Sequence, residues 1–132
     1  MNSTNLRAVP EEEQRSPSGK FRSWCRNLSL ALGGVRNAGL WGGGHPFDLQ
    51  IRRIPAGAAV CPFHVHFAQW ELFVVLSGTA TIRAGSETHT AGKGEVFIHP
   101  PGEAHQLSNP GPGDLEVLII TDNPQLDAFQ LP

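Results

Sequence analysis

The chain has 132 residues, 39% of them hydrophobic, and ten basic against twelve acidic side chains leave a net charge of -2. That length predicts one domain able to bury roughly two-thirds of its unfolded surface, and the balanced charge, with no basic stripe, argues against nucleic acid as a partner. The longest apolar runs, such as residues 72–76, are far too short to span a bilayer. The opening MNSTNLRAVPEEEQRS lacks the apolar core of a secretory signal, and the two cysteines, Cys25 and Cys61, read as reduced thiols, so a cytoplasmic location is expected.

Residues 1–20 are polar and broken by Pro10, Pro17 and Gly19, so they form no core of their own. Pro10 followed by Glu11, Glu12 and Glu13 suits a short helical turn with acids at its N-terminal end. Phe21, Trp24, Leu28 and Leu32 recur at spacings of three and four, which predicts a short amphipathic helix ending at Gly33 and Gly34, with an arm strand as the alternative. The glycine-rich LWGGGHPFD then leads from this arm, residues 1–44, into a run of strands. It lacks the Lys-Ser/Thr of a phosphate loop, and His45 within it reads as an exposed loop histidine.

Phe47, Leu49 and Ile51 alternate with Asp48, Gln50 and Arg52, a half-buried strand with its apolar side expected inward. Arg53 shares that parity, so a regular strand would turn its guanidinium inward as a clamp for a carboxylate or phosphate, whereas a strand ending near Arg52 would leave it solvated. His64 and His66 are two apart, and an extended strand presents both imidazoles to one face. Glu71 lies an odd five residues beyond His66, so a break at Phe67-Ala68-Gln69 is needed to return it to the same centre. Cys61, at an odd offset from both histidines and followed by Pro62, falls on the opposite face and reads as packing.

Beyond Glu71, Phe73 and Val75 share its face while Leu72, Val74 and Leu76 take the other, and a strand apolar on both faces must be covered on both. The N-terminal segment, a second subunit or both would supply that cover, and a homodimer is expected. Thr79–Ala84 and residues 87–90 read as a hairpin around Gly85-Ser86, with His89 solvated. Residues 95–99 form a short strand whose pattern leaves open whether His99 reaches the interior. After the Pro100-Pro101-Gly102 turn, His105, Leu107 and Asn109 alternate with Gln106 and Ser108, which points His105 inward. Residues 115–120 are the last strong strand, and the tail, residues 122–132, shows no periodicity. His64, His66, Glu71 and His105 together make the donor inventory of a mononuclear metal site.

Two stretches carry a resemblance. In the first, Gly57 precedes His64, His66, Glu71 and Gly78; in the second, Gly94 precedes Pro100, Gly102, His105 and Asn109. The chain is similar in these positions to the two signature motifs of the cupin family, departing only in having six rather than five residues between Gly57 and His64. The resemblance implies an all-β fold, a cupin double-stranded β-helix or jelly-roll barrel over residues 45–121 with an N-terminal arm, and His64, His66, Glu71 and His105 as metal ligands. The many short strands with glycine and proline turns agree with a jelly roll.

Three imidazoles and a carboxylate suit one divalent transition metal ion, Fe, Mn, Ni, Co or Zn, and octahedral geometry would leave two positions for a small-molecule ligand. Such a centre supports Lewis-acid isomerisation or dioxygenase chemistry. The expected function is therefore a metal-dependent cupin acting on a small oxygen-bearing molecule, with a non-catalytic sugar- or metabolite-binding cupin as the alternative. Glu103, His99 and Gln69 are candidate general bases by nearness in sequence alone, because fold and metal do not specify chemistry.

Overall fold

The computed structural model describes residues 1–36, 42–124 and 127–131. Leu40 and Trp41, at the head of the glycine-rich connection, lie outside the described residues. The strands are β1 (Glu12–Arg15), β2 (Arg22–Asn27), β3 (Phe47–Ile54), β4 (Val65–His66), β5 (Glu71–Ser77), β6 (Thr79–Ala84), β7 (Glu87–Gly92), β8 (Val96–His99), β9 (His105–Ser108), β10 (Leu115–Asp122) and β11 (Phe129–Gln130). One helical turn, α1 (Leu28–Ala31), follows β2.

Their pairings are antiparallel and make a six-stranded sheet in the order β1-β2-β3-β10-β5-β8, facing a three-stranded sheet β7-β6-β9. A small pair, β11-β4, joins the second sheet through a bridge between His64 and His105. The result is the expected all-β double-stranded β-helix. Ile54, Phe73, Val75, Ile82, Leu107, Leu115, Val117 and Ile119 fill the space between the sheets, all buried. The hairpin of β6 and β7 turns at Gly85, and Phe73 and Val75 point inward from β5 as their parity requires.

The N-terminal arm differs from expectation. Residues 22–27 are a strand, the alternative to a helix, because β2 pairs with β3 and buries Ser23 and Cys25 while Trp24 turns outward beneath the guanidinium groups of Arg22 and Arg53. Only Leu28–Ala31 is helical, capped by the Asn27 side chain, which accepts from the Leu30 amide. Glu11, Glu12 and Glu13 start no helical turn either, since β1 pairs with β2, and the short 3-10 turn lies ahead of Pro10 at Leu6–Ala8. The three-four spacing of apolar residues mimicked a helix across what is half strand and half turn.

The arm also inverts the assignment of β3. Leu49 and Ile51 pack outward, under Val9 and Leu28 and beside Leu76 and Leu118, in a second apolar layer behind the six-stranded sheet. Asp48, Gln50 and Arg52 therefore face the interior and line its cavity. Arg53 shares the outward face: it pairs with Glu11 at 2.9 Å and Asp114 at 3.1 Å and does not serve as an inward clamp. Arg7 forks onto Glu116 at 2.6 and 2.8 Å, and Arg26 donates to the carbonyls of Arg7 and Val9, so the arm is strapped to the barrel by arginines.

Two motif residues serve the fold. Gly78 has φ +83°, and a Cβ there would sit 2.6 Å from the Asp114 carbonyl oxygen, so glycine is required where β5 turns into β6. Asn109 is buried, its amide donating to the carbonyls of Ile54 at 2.8 Å and Gly113 at 2.9 Å while its oxygen accepts from the Gly111 amide. It ties the end of β9 to the ends of β3 and the loop before β10. Asn109→Ala removes these bonds and strands buried backbone groups, so it should lower unfolding free energy by about 2–4 kcal/mol in a urea titration; a loss under about 0.5 kcal/mol would show the bonds to be dispensable.

Candidate metal centre

The local sequence explains how distant donors meet. His64, just ahead of β4, and His66 within it stand close, with ring centroids 4.9 Å apart, and the chain breaks over residues 67–70 as expected. Asp127 fixes that break, its Oδ1 accepting from the amides of Ala68 at 2.7 Å and Gln69 at 3.2 Å, and Asp122 accepts from the Trp70 amide at 2.8 Å. β5 then begins at Glu71, facing the same centre from the opposite sheet. His105 opens β9, whose backbone exchanges hydrogen bonds with His64 at 2.8 and 3.1 Å.

The donor atoms of His64, His66 and Glu71 all lie within 4.8 Å of one another, a group that could hold a metal ion. His105 Nε2 approaches Glu71 Oε2 at 2.5 Å, and His66 Nε2 stands 3.4 Å from Glu71 Oε1. The four side chains singled out in the sequence are thus brought together. Glu71 stands in the middle.

Tautomers follow from the partners on the other ring nitrogen. His64 Nδ1 lies 2.8 Å from the Pro62 carbonyl and His105 Nδ1 lies 3.0 Å from the Glu103 carbonyl, and a carbonyl only accepts, so both Nδ1 atoms carry hydrogen. His66 Nδ1 meets the Asp127 carboxylate at 2.9 Å in the same way. In each neutral ring the basic nitrogen is then Nε2, and for His66 and His105 it is turned to the Glu71 carboxylate. Lone pairs pointed at a carboxylate repel unless a proton or a cation lies between them, so the donor set fits a cation.

The electrostatics point the same way. Burial pushes the His64 imidazole below its ordinary value, and His105 and His66 add to that against the Pro62 bond. Burial alone would raise the Glu71 carboxyl, but the bond to His105 and the charge of the three imidazoles hold it below the usual carboxylate range. For His105 burial acts to lower the value, and the bonds to Glu71 and the Glu103 carbonyl outweigh it, so the ring holds a proton more readily than a free imidazole. An ion bound there would have to displace any proton shared by Glu71 and His105.

A cavity of about 430 Å³ opens over the cluster, bounded by Gln50, Arg52, Cys61, Gln69 and Thr121 among others. Cys61 belongs to this wall and not to the opposite face, its Sγ 3.4 Å from His64 Nδ1, because residues 60–63 are not a regular strand and parity does not carry through them. Burial, with Glu71 nearby, pushes the thiol up to about 11, so it is protonated at neutral pH. His99 is buried with its ring stacked on His105, centroids 4.0 Å apart at 3°, and its Nδ1 bonds Glu103 at 2.7 Å. His99 and Glu103 line a second cleft, between β7 and β8, and are not among the residues lining the cavity. Gln69 does line the cavity, but an amide is no base.

Sequence reasoning missed Asp127, Arg52 and Asp48. Asp127 sits in a tail without periodicity, and only its place beside β11, which pairs with β4, brings it to His66. No local signal marks it. Burial would raise its carboxyl, yet the His66 bond and the amides of Ala68 and Gln69 hold it below the ordinary value.

Comparison with known proteins agrees with the fold. The chain resembles the structure of a sugar phosphate isomerase of the cupin superfamily from Silicibacter pomeroyi, with TM-score 0.78, 18% identity and coverage of 98% of this chain and 81% of that one. It also resembles a predicted oxalate decarboxylase from Thermotoga maritima, with TM-score 0.74, 19% identity and coverage of 91% and 97%. In sequence it is 36% identical over 66 residues to mannose-1-phosphate guanylyltransferase RfbM of Salmonella typhimurium, a match covering 50% of this chain and 13% of that protein. It is 38% identical over 78 residues to auxin-binding protein 1 of Arabidopsis thaliana, covering 52% of this chain and 38% of that protein. The chain thus spans well under half the length of these two curated relatives. The family model of the cupin domain matches residues 50–121, more than half of the chain, and the chain belongs to the cupin family.

Proposed function

We propose that this cupin binds one divalent transition metal ion through His64, His66, Glu71 and His105 and acts on a small oxygen-bearing molecule in the cavity above it, by isomerase-like chemistry. The observation that carries the reading is the turning of the His66 and His105 Nε2 atoms onto one half-buried carboxylate, with the Nδ1 atoms of His64, His66 and His105 already committed to acceptors. Fe, Mn, Ni, Co and Zn all suit such donors. When bound, the ion would polarise substrate oxygens as a Lewis acid. The resemblance to the sugar phosphate isomerase supports this chemistry over dioxygenation.

The remaining work falls to the chain's own groups. Asp48 shares a register row with Glu71 through Thr121 and lines the cavity, so it is the carboxylate placed to accept and return a substrate proton. Asp127 holds His66 in its metal-binding tautomer. In this reading residues 45–121 are the barrel, residues 1–44 the N-terminal arm, whose Gln14, Cys25 and Asn27 line the cavity, and residues 122–132 the tail, whose Asp127 orients His66. The free thiols Cys25 and Cys61 support a cytoplasmic location. No helix among the described residues is long and apolar enough to cross a membrane.

The likeness to auxin-binding protein 1 favours a second reading, a small-molecule binder without turnover. Protein purified without a polyhistidine tag separates the readings. It should carry about one equivalent of a first-row metal per chain, and His64→Ala should reduce that more than about tenfold in a folded barrel. Full metal content in the variant would refute the ligand assignment. Solvent deuterium entering a sugar phosphate would mark the isomerase, oxygen uptake a dioxygenase, and saturable binding without change the binder. Asp127→Asn should weaken metal affinity by about 10–100-fold, and an unchanged affinity would show that the tail does not act on His66.

A homodimer is also proposed. Val96 and Ile98 are 58% and 51% exposed on the edge strand β8, next to Leu72 and Val74 on the part of the outer sheet face that the arm does not cover. Light scattering at micromolar concentration should give twice the chain mass, and the single-chain mass would contradict it.

A further inference from the structure

Five of the eight arginines are paired with carboxylates, while Arg83 stacks on Phe63. Arg7 meets Glu116, Arg22 meets Glu13, Arg26 meets Glu11, Arg36 meets Glu12, and Arg53 meets Glu11 and Asp114. Arg52 is different. Its Nε donates to Gln50 Oε1 at 2.6 Å and its Nη1 to Ser23 Oγ at 2.9 Å, both neutral acceptors, and no carboxylate among the described residues pairs with it. Both acceptors are fixed: Ser23 is buried, and Gln50 Oε1 also takes the Cys25 thiol at 3.3 Å.

The guanidinium is therefore held in one orientation, with the Cys25 thiol also beside it, and no carboxylate or carbonyl among the described residues accepts from Nη2. Among them no side-chain nitrogen sealed from solvent lacks a partner, so an Nη2 without one is open to solvent, and Arg52 lines the cavity that lies over His64, His66, Glu71 and His105. The carboxylates of the cavity do not pair with it. Glu71 is taken up by His105 and His66, and Asp48 is four residues back along β3, roughly 13 Å by strand rise, with no ion pair from either to Arg52 among the described residues. A half-buried, pre-oriented fork with a free edge and no anion is built for one.

We propose that Arg52 anchors the acidic group, a carboxylate or a phosphate, of an anionic ligand whose other end reaches the metal-ligand cluster. Register places the two ends apart in the cavity: Arg52 shares a row with Val117 and Val75, whereas Asp48 shares one with Thr121 and Glu71. The ligand is thus a bifunctional small acid, with oxygens at one end and its charge at the other. Gln50 and Ser23 are positioning residues, since they hold the fork and do not touch the ligand. This inference deepens the metal-dependent reading and rests on it for the role of the remote end, not for the anion site itself.

The test uses the metal-stripped 132-residue chain, so that coordination to an ion adds nothing to anion binding. Wild type, Arg52→Gln and Arg52→Lys are titrated calorimetrically with inorganic phosphate, oxalate and neutral glycerol, and each preparation is assayed for its capacity to reload metal. Saturable binding of phosphate, oxalate or both is expected in wild type, with none for glycerol; Arg52→Gln should bind at least about tenfold more weakly and Arg52→Lys should fall between. Which anion wins tells phosphate from carboxylate. In wild type the Arg52 Nε–H resonance should shift with the bound anion, a readout that stands even where a variant fails to fold. Failure of wild type to bind either anion, or equal binding by Arg52→Gln, overturns the proposal. Protein that reloads no metal yet binds anions through Arg52 would instead defeat the metal reading alone.

Discussion

The contact between Glu71 and His105, 2.5 Å from Oε2 to Nε2, spans the barrel from the six-stranded sheet to the three-stranded one. It joins buried His105 to half-buried Glu71, away from bulk water, where an unpaired carboxylate would be costly. Much of the surrounding structure exists to hold it. The backbone exchange between His64 and His105 brings β4 onto β9, the Pro62 and Glu103 carbonyls set two imidazole tautomers, and Asp127 sets the third. On the far side of His105, the stacked ring of His99 and the pair Phe73 and Phe97 close the packing. The donors have little freedom to move, which is what a preorganised ion site requires.

The arm gives that site its wall. A barrel strand in a two-layer fold would normally send its apolar side to the core and its polar side to water. Here β1, β2 and α1 lay a third layer behind β3, and Val9 and Leu28 supply the apolar surface that Leu49 and Ile51 bury against. The polar side of β3 is thereby released to the interior. Asp48, Gln50 and Arg52 enter the cavity for that reason, and with Gln69 and Thr121 they give a concave site its few polar groups.

The meeting of His64, His66 and Glu71 was legible because its logic is local. A two-residue step puts His64 and His66 on one face, an odd step to Glu71 demands a break, and the break occurs at residues 67–70. The alternation of His105, Leu107 and Asn109 was equally plain, and all three are buried. Long-range partners were not legible. Apolar residues on one side of β3 told only that something covers that side, and the choice between barrel core and N-terminal arm depends on where residues 1–31 fold back. Arg52 and Arg53 exchanged roles with that choice. Cys61 was misplaced because parity was carried through Pro62, where there is no strand to carry it.

The central claim is that Glu71 and three imidazoles face one ion. Diffraction from crystals of the metal-loaded protein, collected on both sides of the metal's absorption edge, tests it most directly. One anomalous peak should lie about 2.0–2.3 Å from Nε2 of His64, His66 and His105 and from a Glu71 oxygen. A peak bound by Cys61 with His105 left out, or no peak in the cavity while the protein holds metal elsewhere, would contradict the account.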